Sequence, residues 1–405
     1  MLEDEPEVNT EQPKTPSKLY LILGALTGMF LGLTVGTNIY TYQLQQQDSK
    51  YNPAKIFAID QLVGFQYFEA SELEDRVEGI FRGYISSLED SEATYLTSEE
   101  VATYEAELNG TYVGAGFHFT WGISGQYLVI TEVIENSPAD IAGLEVGDYI
   151  TQIDDDLAKL SNSTILYKKL TYSGEDAVLY TIKKNNTEEI IKIPIIPTVL
   201  QVDYITSIKV DEDIVCITID RLVNGSATEI EKLILEYQNE GINNFILDVR
   251  TVTQAEFEEV VNLTDLFIED GELFSTVNKA TEVKTYHATP KYTPTNLVFL
   301  TSTSTKGSME AMLGTLQLQG LATIIGSQTT GFGLVQDLIK LNDGSGIIVS
   351  SAVLLLPNGD NLNGTGITPD IKVSLGSAYT FDFMTKGEAN LELDAQLQEA
   401  IKFFK

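Results

Sequence analysis

The sequence has few of the residues on which redox and metal chemistry depend. Its 405 residues include one cysteine and two histidines. Cys216 has no partner for an intrachain disulfide, and its position in the apolar run IVCITI predicts a small core residue on a strand. His118 and His287 have no second Cys or His at ligand spacing, so we expect no metal site and no cofactor.

Basic residues are also scarce. The chain has 25 Lys and Arg against 59 Asp and Glu, which gives a formal net charge of −34. Binding to nucleic acid requires a cluster of Lys and Arg that displaces counterions, and the sequence contains no such cluster. We therefore exclude nucleic acid as a partner. The spread of the acidic residues indicates a well-solvated surface in a high-salt or extracytoplasmic setting more than a dedicated cation-binding function.

Charge is absent altogether from one stretch near the N-terminus. Leu19 to Tyr40 is uncharged, and its length is sufficient for a helix to cross a bilayer. We predict a disordered cytoplasmic tail at 1–18 and a transmembrane helix at 19–42. A cleaved signal peptide is the alternative, but the stretch is longer than the usual apolar region of a signal peptide and no A-x-A site follows it.

Two further features concern this predicted span. Lys14 and Lys18 precede it and the next basic residue is Lys50, so the positive-inside rule places the N-terminus in the cytoplasm and the bulk of the chain in the cell envelope. Glycines recur every fourth residue on one helix face, which predicts pairing with a second helix in a homodimer or another assembly. The alternative is that glycine is simply frequent in such spans. These glycines are Gly24, Gly28, Gly32 and Gly36.

Residues 43–109 are predicted to form a small helical segment. Apolar residues fall at helical spacing in IFAIDQLVGFQYF and LEDRVEGIFRGYISSL. The part from Gly79 to Glu100 resembles the helical segment that precedes the PDZ domain in bacterial carboxy-terminal processing proteases. Where that family has Asp-Pro-His-Ser, this chain has Glu89-Asp90-Ser91-Glu92.

Residues 110–197 resemble a PDZ domain. In YVGAGFHF a glycine-rich loop, Gly114-Ala115-Gly116-Phe117, leads into a strand, and the backbone amides of such a loop can hold a carboxylate. The run VIENSPADIAGLEVGDYITQID then places Ser137-Pro138 at a helix start. The resemblance implies capture of a peptide C-terminus by strand addition, with Phe117 and Phe119 as candidate pocket walls. The alternative is a PDZ fold that serves only for packing.

Residues 198–405 alternate strand-like and helix-like runs: IVCITI, ATEIEKLILEYQNEG, FILDVR, AEFEEVVNLTDLFIE and NLVFLT. This alternation predicts an α/β domain with parallel strands and crossover helices. The last run, LDAQLQEAIKFF, has one apolar face and is predicted to pack as a closing helix.

An ordered series of motifs makes the whole C-terminal half resemble the catalytic core of the carboxy-terminal processing proteases, the S41 serine peptidases. The motifs are Asp248-Val249-Arg250, Gly314-Thr315-Leu316-Gln317, Gly333-Leu334-Val335-Gln336, Pro357-Asn358-Gly359 and Gly364-Thr365-Gly366-Ile367-Thr368-Pro369-Asp370. The implied fold is of the α/β and β classes. It comprises the transmembrane helix, the helical segment, the PDZ domain and an S41-peptidase-like α/β core with a C-terminal helix.

The resemblance also implies a serine nucleophile and a lysine general base, and this chain departs from both. Aligning the helix without a gap places Glu310 on the family's glutamate and Met309 on the nucleophile, while Ser308 lies one residue early. Phe332 stands where the family has its lysine, and Gln336 is retained. The glycine pair that helps to form the oxyanion hole is replaced within Val252-Thr253-Gln254-Ala255, so Gln254 and Ala255 mark the former oxyanion region.

These replacements favour a catalytically inactive pseudoprotease that binds peptide or protein C-termini through its PDZ domain, because catalytic groups that act as a unit do not leave half an enzyme. We also expect Met309 and Phe332 to fill the former catalytic cleft, and Ser308 to act as a helix N-cap. The alternative is an active serine-type peptidase that uses Ser308 with a displaced base, Lys306 or Lys340. A structural partner with a silent PDZ groove is a third possibility.

Overall fold

A computed structural model describes residues 53–68, 72–122, 124–170, 176–187, 189–291, 293, 295–376 and 391–405. The predicted cytoplasmic tail at 1–18, the predicted transmembrane helix at 19–42 and its four glycines lie outside the described residues. Among the helices that are described, none has both the length and the apolar character needed to span a bilayer. The chain divides into two compact units, residues 1–80 and residues 81–405.

The described part of the first unit is helical. It contains α1 (Pro53–Gln66) and the start of α2 (Leu73–Ser86). Arg76 on α2 forms an ion pair with Asp60 on α1 at 2.7 Å, which joins the two helices. The helical prediction for the segment 43–109 is confirmed for these elements.

The second unit begins with a short strand that the helical prediction did not include. After β1 (Thr94–Leu96) comes α3 (Ser98–Leu108), where Thr97 accepts from the backbone N–H of Glu100 and the Glu100 carboxylate accepts from the backbone N–H of Thr97. This reciprocal cap satisfies two donors of the helix start. β1 pairs with β18 (Gly346–Leu355) of the C-terminal core, so β1 is part of a core sheet.

The PDZ domain forms its own sheet with an open edge at β3. Its elements are β2 (Thr111–Gly114), β3 (Phe117–Trp121), β4 (Leu128–Val133), α4 (Pro138–Ile141), β5 (Tyr149–Ile153), β6 (Asp156–Leu157), α5 (Ser163–Leu170), β7 (Val178–Lys183) and β8 (Ile190–Ile195). The strand order is β3-β4-β5-β7-β8, with β6 paired to β5. The predicted cap is confirmed, because the Ser137 hydroxyl accepts from the N–H of Asp140 at 3.2 Å and Pro138 is the first residue of α4.

A separate two-stranded ribbon connects the PDZ domain to the core. β2 pairs antiparallel with β9 (Thr198–Gln201) from Thr111↔Gln201 to Gly114↔Thr198. The chain therefore enters and leaves the PDZ domain side by side, and the ribbon ends at the predicted carboxylate-binding loop.

The core contains a mostly parallel six-stranded sheet, as the alternation of strands and helices predicts. Its elements are β10 (Ile205–Asp211), β11 (Ile214–Ile219), α6 (Ser226–Asn239), β12 (Asn244–Asp248), α7 (Phe257–Phe267), β15 (Asn296–Thr301), α8 (Ser308–Leu318), β16 (Ala322–Gly326) and β19 (Ile371–Lys372). The order is β10-β11-β12-β15-β16-β19, and only β10 is antiparallel to its neighbour. Cys216 is buried on β11, as predicted.

A second sheet of the core adds β13 (Glu272–Asn278), β14 (Val283–His287) and β17 (Leu334–Lys340). It has the order β1-β18-β13-β14, with β17 on β18. The register of β17 shifts between Val335 and Gln336. The carboxyl ends of parallel strands meet at one edge of a sheet, and the segments that follow β12 and β15 lie there beside β17.

The predicted closing helix is α9 (Ala395–Phe403), and ion pairs attach it to the core. Arg250, which follows β12, forms ion pairs with Asp248 at 2.6 Å and with Asp394 at 2.7 Å. Asp394 is 1% exposed and caps α9 by accepting from the N–H groups of Gln396 and Leu397. These carboxylates and the hydrogen bonds to them raise the pKa of Arg250, against the effect of its burial.

Candidate functional site

An open cleft of about 650 Å³ lies at the carboxyl edge of the parallel sheet. It is bounded by the turn before β1, by α3, by the segments after β11 and β12, by the start of α8 and by β17. Six residues singled out from the sequence line it: Gln254, Ala255, Lys306, Ser308, Phe332 and Gln336. Met309 and Lys340 do not line it. The fold therefore brings together most of the residues of the predicted catalytic region.

The start of α8 places Ser308 and Met309 in different environments. Met309 is fully buried in the hydrophobic core, whereas Ser308 is 7% exposed and lines the cleft. One residue of helix turns the side-chain direction by about 100°, which accounts for the difference. The hydroxyl of Ser308 donates no hydrogen bond to any group in the described part of the chain.

The prediction that Ser308 is the N-cap is wrong. Gly307 occupies the cap with φ 71°, a left-handed conformation that favours glycine, and Ser308 is the first residue of α8. The N–H of Gly307 donates to the Glu310 carboxylate at 3.1 Å, so the glutamate supplies the contact that a capping side chain would otherwise make.

Glu310 links the start of α8 to the segment that carries Phe332. Its carboxylate is fully buried and accepts from the N–H of Gly331 at 2.7 Å, from the N–H of Phe332 at 2.8 Å and from the Thr329 hydroxyl. Burial raises the pKa of Glu310, and these hydrogen bonds oppose the increase. The network positions Phe332 on the cleft wall without contributing a nucleophile or a base.

The two candidate displaced bases are both engaged by carboxylates. Lys306 lies 2.7 Å from Glu92, and its ammonium nitrogen is 6.0 Å from the centre of the Phe332 ring. Lys340 is half exposed, lies away from the cleft lining and forms an ion pair with Glu105 at 2.5 Å. Lys306 is the only lysine among the described residues that line the cleft.

The predicted former oxyanion region, Gln254 and Ala255, contacts residues at the end of β11. Gln254 accepts a hydrogen bond from Arg221, and Arg221 forms an ion pair with Glu107 at 3.0 Å. Ala255 pairs with Leu222 in an isolated parallel bridge. The segment after β12 is therefore anchored to α3 and to the end of β11.

Gln336 is retained and lies in the cleft, but its amide group has no partner. Its Nε2 atom is shielded from solvent and forms no hydrogen bond within the described structure. It follows the irregularity in β17, which changes the direction of the side chain relative to a regular strand.

The expectation that Met309 and Phe332 together fill the cleft is wrong. Met309 packs into the core beneath α8, so only Phe332 contributes apolar volume to the cleft wall, and the cleft stays open. A count along the sequence could not show this, because the direction of one helical side chain depends on where the helix begins.

In the PDZ domain the predicted loop presents two backbone amides away from the domain. The carbonyl of Ala115 accepts from Ala139 at 2.8 Å, and that of Gly116 accepts from Ile134 at 2.9 Å. In a trans peptide the N–H points opposite to the C=O. The N–H groups of Gly116 and Phe117 therefore point outward, at the open edge of β3.

The other predicted peptide-binding side chains differ in exposure. Phe117 is 5% exposed and packs on Tyr180 in the core of the PDZ domain, while Phe119 is partly exposed. His118 is exposed on the same strand. Gly114 ends the ribbon strand β2 beside the loop.

Several acidic and basic residues of the cleft escaped the sequence reasoning. Arg221, Glu256, Glu258 and Asp337 line it, and no short motif contains them; Glu92 lines it as well. Burial raises the pKa of Glu256, and the neighbouring carboxylates of Glu258 and Glu259 add to the increase. Among these residues only Glu92 could have been identified from the sequence, because it stands in the stretch where the family has Asp-Pro-His-Ser.

The α/β core has a cleft at its sheet edge beside a helix start, and a two-stranded ribbon joins it to a smaller domain with its own sheet, which is the arrangement that the sequence motifs predict. Residues 213–373 match the model for Peptidase family S41, and residues 129–157 match a PDZ domain model. These matches confirm the resemblance that the sequence motifs predict: the chain contains a region similar to S41 peptidases and a region similar to PDZ domains.

The chain is similar to curated proteins described as probable CtpA-like serine proteases. The one from Staphylococcus epidermidis is 25% identical over 378 residues, which cover 88% of this chain and 74% of that protein. The one from Staphylococcus haemolyticus is 24% identical over 369 residues, which cover 89% of this chain and 73% of that protein.

Two solved structures share the fold. A photosystem II D1 C-terminal processing protease has a TM-score of 0.51 at 19% identity, covering 79% of this chain and 91% of that one. A putative S41 protease from Bacteroides fragilis has a TM-score of 0.54 at 14% identity, covering 89% of this chain and 99% of that one. The predicted mixed α/β fold with a PDZ domain is confirmed.

Proposed function

We propose that this protein is a membrane-anchored, extracytoplasmic pseudoprotease of the S41 family that binds peptide or protein C-termini through its PDZ domain. The proposal rests on the residues at the two positions that align with the nucleophile and the general base of the S41 family. Met309 is buried in the core and Phe332 lies on the cleft wall. Neither side chain can lose or accept a proton in the way that a serine and a lysine do.

The surroundings of Lys306 support the same conclusion. A lysine that acts as a general base must be neutral, and burial away from carboxylates favours that state. Lys306 instead contacts the Glu92 carboxylate at 2.7 Å and no hydroxyl of the described residues. The former oxyanion region lacks its glycine pair and is occupied by the Gln254–Arg221 contact.

The PDZ domain has the two features that strand addition needs. Among the described strands β3 pairs only with β4, so its other edge is available to pair with an extended peptide. The outward N–H groups of Gly116 and Phe117 lie at the start of this edge, where a terminal carboxylate would be bound. Phe119 is the partly exposed candidate for contact with the ligand, and Phe117 supports the loop from within the core.

Membrane anchoring through 19–42 and helix pairing through Gly24, Gly28, Gly32 and Gly36 are parts of the proposal that rest on the sequence. Protease added to intact cells should degrade the PDZ and core domains while an N-terminal tag stays protected. Crosslinking in membranes should give a dimer that Gly28→Leu weakens. Release of the whole chain by a salt wash would contradict the anchor.

One observation favours an active serine-type peptidase as a second candidate. Ser308 lines the cleft, and its hydroxyl forms no hydrogen bond with any group in the described structure. In this alternative Ser308 would be the nucleophile with Lys306, or less directly Lys340, as the base. Lys306 would first have to leave Glu92.

Incubation of the full chain with peptides that end in apolar residues separates the two candidates. We expect no cleavage by mass spectrometry and no difference between the wild type and Ser308→Ala. Cleavage that disappears in Ser308→Ala and in Lys306→Met, but persists in Lys340→Met, would contradict the pseudoprotease and support the active peptidase.

Binding is tested on the same peptides. We expect free-acid peptides to bind and their C-terminal amides to bind much more weakly, because amidation removes the charge that the loop amides accept. Equal binding of both forms would remove the PDZ part of the proposal.

A further inference from the structure

The sequence contains four Asn-Gly pairs, and in this dipeptide the asparagine side chain can react with the backbone nitrogen of the glycine. The pairs are Asn109-Gly110, Asn224-Gly225, Asn358-Gly359 and Asn363-Gly364. All four asparagines are exposed. Glycine has no Cβ to hinder the approach of the asparagine side chain. The glycine nitrogen must lose its proton to react, so the hydrogen bonding of each glycine N–H decides how fast its pair reacts.

Three of the four glycine N–H groups already donate to backbone carbonyls. These bonds, with their N···O distances, are Gly110 to Glu107 at 3.0 Å, Gly359 to Leu356 at 2.8 Å and Gly364 to Gly331 at 2.7 Å. Each bond must break before the nitrogen can attack, which adds to the barrier. The side chain of Asn358 is also held, because its Nδ2 donates to the Asp360 carboxylate at 2.7 Å and its Oδ1 accepts from the Asp360 N–H at 3.0 Å. The fold therefore protects these three pairs.

The pair Asn224-Gly225 lies in the turn before α6 and differs from the other three. The N–H of Gly225 donates no hydrogen bond to any group in the described part of the chain. Both residues are exposed, and no atom lies within 4 Å of the position that a Cβ on Gly225 would occupy. The nitrogen of Gly225 is therefore accessible to solvent base and to the side-chain carbon of Asn224.

We propose that Asn224 is a site of spontaneous deamidation and isomerisation, with water as the co-reactant. The nitrogen of Gly225 loses its proton and bonds to Cγ of Asn224, while the Cγ–Nδ2 bond breaks and Nδ2 leaves with a proton as ammonia. Water then adds to the five-membered succinimide ring. Breaking the new Cγ–N bond gives aspartate, and breaking the original backbone C–N bond gives isoaspartate. No oxidant or reductant is needed.

The modified residue would lie where α3 meets the segment before α6. The N–H of Asn224 donates to the Leu108 carbonyl at 2.8 Å, and its Nδ2 donates to the Oδ1 of Asn109 at 2.9 Å. Deamidation replaces the side-chain donor by a carboxylate that faces the acceptor oxygen of Asn109, and isoaspartate also lengthens the backbone by one methylene group. The Arg221–Glu107 ion pair at 3.0 Å joins the same two segments, so we expect this junction to loosen without separating.

Conversion rates in the folded and unfolded chain test the assignment. The full chain is incubated in detergent micelles at mildly alkaline pH, with a parallel sample in urea. Peptides from all four sites are quantified by mass spectrometry, and isoaspartate is labelled with an isoaspartyl methyltransferase. In the folded chain Asn224 should convert about fivefold or more faster than each of the other three, because only its glycine N–H has no bond to break.

In urea the four rates should become similar, because every site then has an unbonded glycine. Equal rates in the folded chain, or faster conversion at one of the other three sites, would overturn the proposal. So would a preference for Asn224 that persists unchanged in urea, since the fold would then not be its cause.

A variant and a pH series test the chemistry of the site. Asn224→Gln should abolish isoaspartate at this position and leave the other three sites unchanged, because the longer side chain must form a six-membered ring and reacts far more slowly. The wild-type rate at Asn224 should rise with pH, since the attacking nitrogen must lose its proton. A rate that does not depend on pH would contradict attack by the backbone nitrogen.

Hydrogen exchange tests the effect on the junction. Asn224→Asp introduces the charge without the extra methylene group, and Asn358→Asp is the matched control in an exposed turn. Protection at residues 109–111 and 224–226 should fall about threefold or more in Asn224→Asp and further in isoaspartate-containing protein separated by ion exchange, but not in the control. Equal protection in both variants would show that deamidation at Asn224 does not loosen the junction.

Discussion

Replacement of Glu310 by glutamine tests whether the hydrogen-bond network that positions the cleft is correctly described. The carboxylate accepts from four donors on two segments: the N–H groups of Gly307, Gly331 and Phe332 and the hydroxyl of Thr329. Glutamine has nearly the same shape, but only one of its two terminal atoms accepts hydrogen bonds. Two of the four donors must therefore lose their acceptor and face an NH₂ group instead.

The size of the effect follows from the burial of this carboxylate. Hydrogen bonds to charged groups contribute about 1.5–3 kcal/mol each, so two lost bonds correspond to about 3–6 kcal/mol. Burial raises the pKa of Glu310, which shows that the ionised form carries a penalty that glutamine avoids. We expect the free energy of unfolding to decrease by a net amount of about 2–4 kcal/mol.

Urea unfolding measures the total loss, and hydrogen exchange locates it. Amides of residues 329–334 should lose protection in Glu310→Gln, whereas those of the PDZ domain should not. Glu236→Gln on the exposed face of α6 is the matched control, and it should change stability by less than about 0.5 kcal/mol. If Glu310→Gln were as mild as this control, with residues 331 and 332 still protected, Glu310 would not hold the Phe332 segment as described.

Three further predictions concern the pH dependence of Glu310, the ion pairs of Arg250 and the conformation of Gly116. Because the folded-state pKa of Glu310 is raised, its contribution to stability is fully present below the unfolded pKa and is lost as pH rises through the folded pKa. The difference in unfolding free energy between wild type and Glu310→Gln should shrink over that range in urea titrations. Arg250→Met leaves the carboxylates of Asp248 and Asp394 without their cation and should cost about 3–5 kcal/mol, with α9 exchanging first by hydrogen exchange. Gly116→Ala should abolish binding of free-acid peptides, because the new Cβ would lie 2.2 Å from a side-chain carbon; Gly143→Ala, also at positive φ but with no atom within 4 Å, is the control and should keep binding.

Local patterns were sufficient to predict most elements of the fold. Strand and helix alternation after residue 198 gave the parallel sheet, because buried parallel strands and amphipathic helices leave distinct periodicities. The start of α4 at Pro138 and the closing helix could also be predicted, because a capping residue lies within a few residues of the helix start that it marks. The short strand β1 was missed because its pairing partner lies some 250 residues later along the chain.

The contacts between the residues that line the cleft were less predictable from the sequence. Lys306 and Glu92 are far apart in sequence, and so are Arg221 and Glu107, so neither pair leaves a local signal. The position of Met309 in the core depends on α8 beginning at Ser308, which in turn depends on the conformation of Gly307. A shift of the helix register by one residue would place Ser308, and not Met309, in the core position.

The hydrogen bonds of Glu310 do not depend on the two side chains that depart from the family pattern. Glu310 contacts backbone groups and one hydroxyl, and none of these contacts involves the side chain of Met309 or Phe332. Both side chains can therefore change without disturbing the network that positions the cleft walls. Because Met309 packs inward, its thioether adds volume to the core and none to the cleft. The two positions at which this chain departs from the family pattern are thus independent of the contacts that hold the start of α8 against the segment of Phe332.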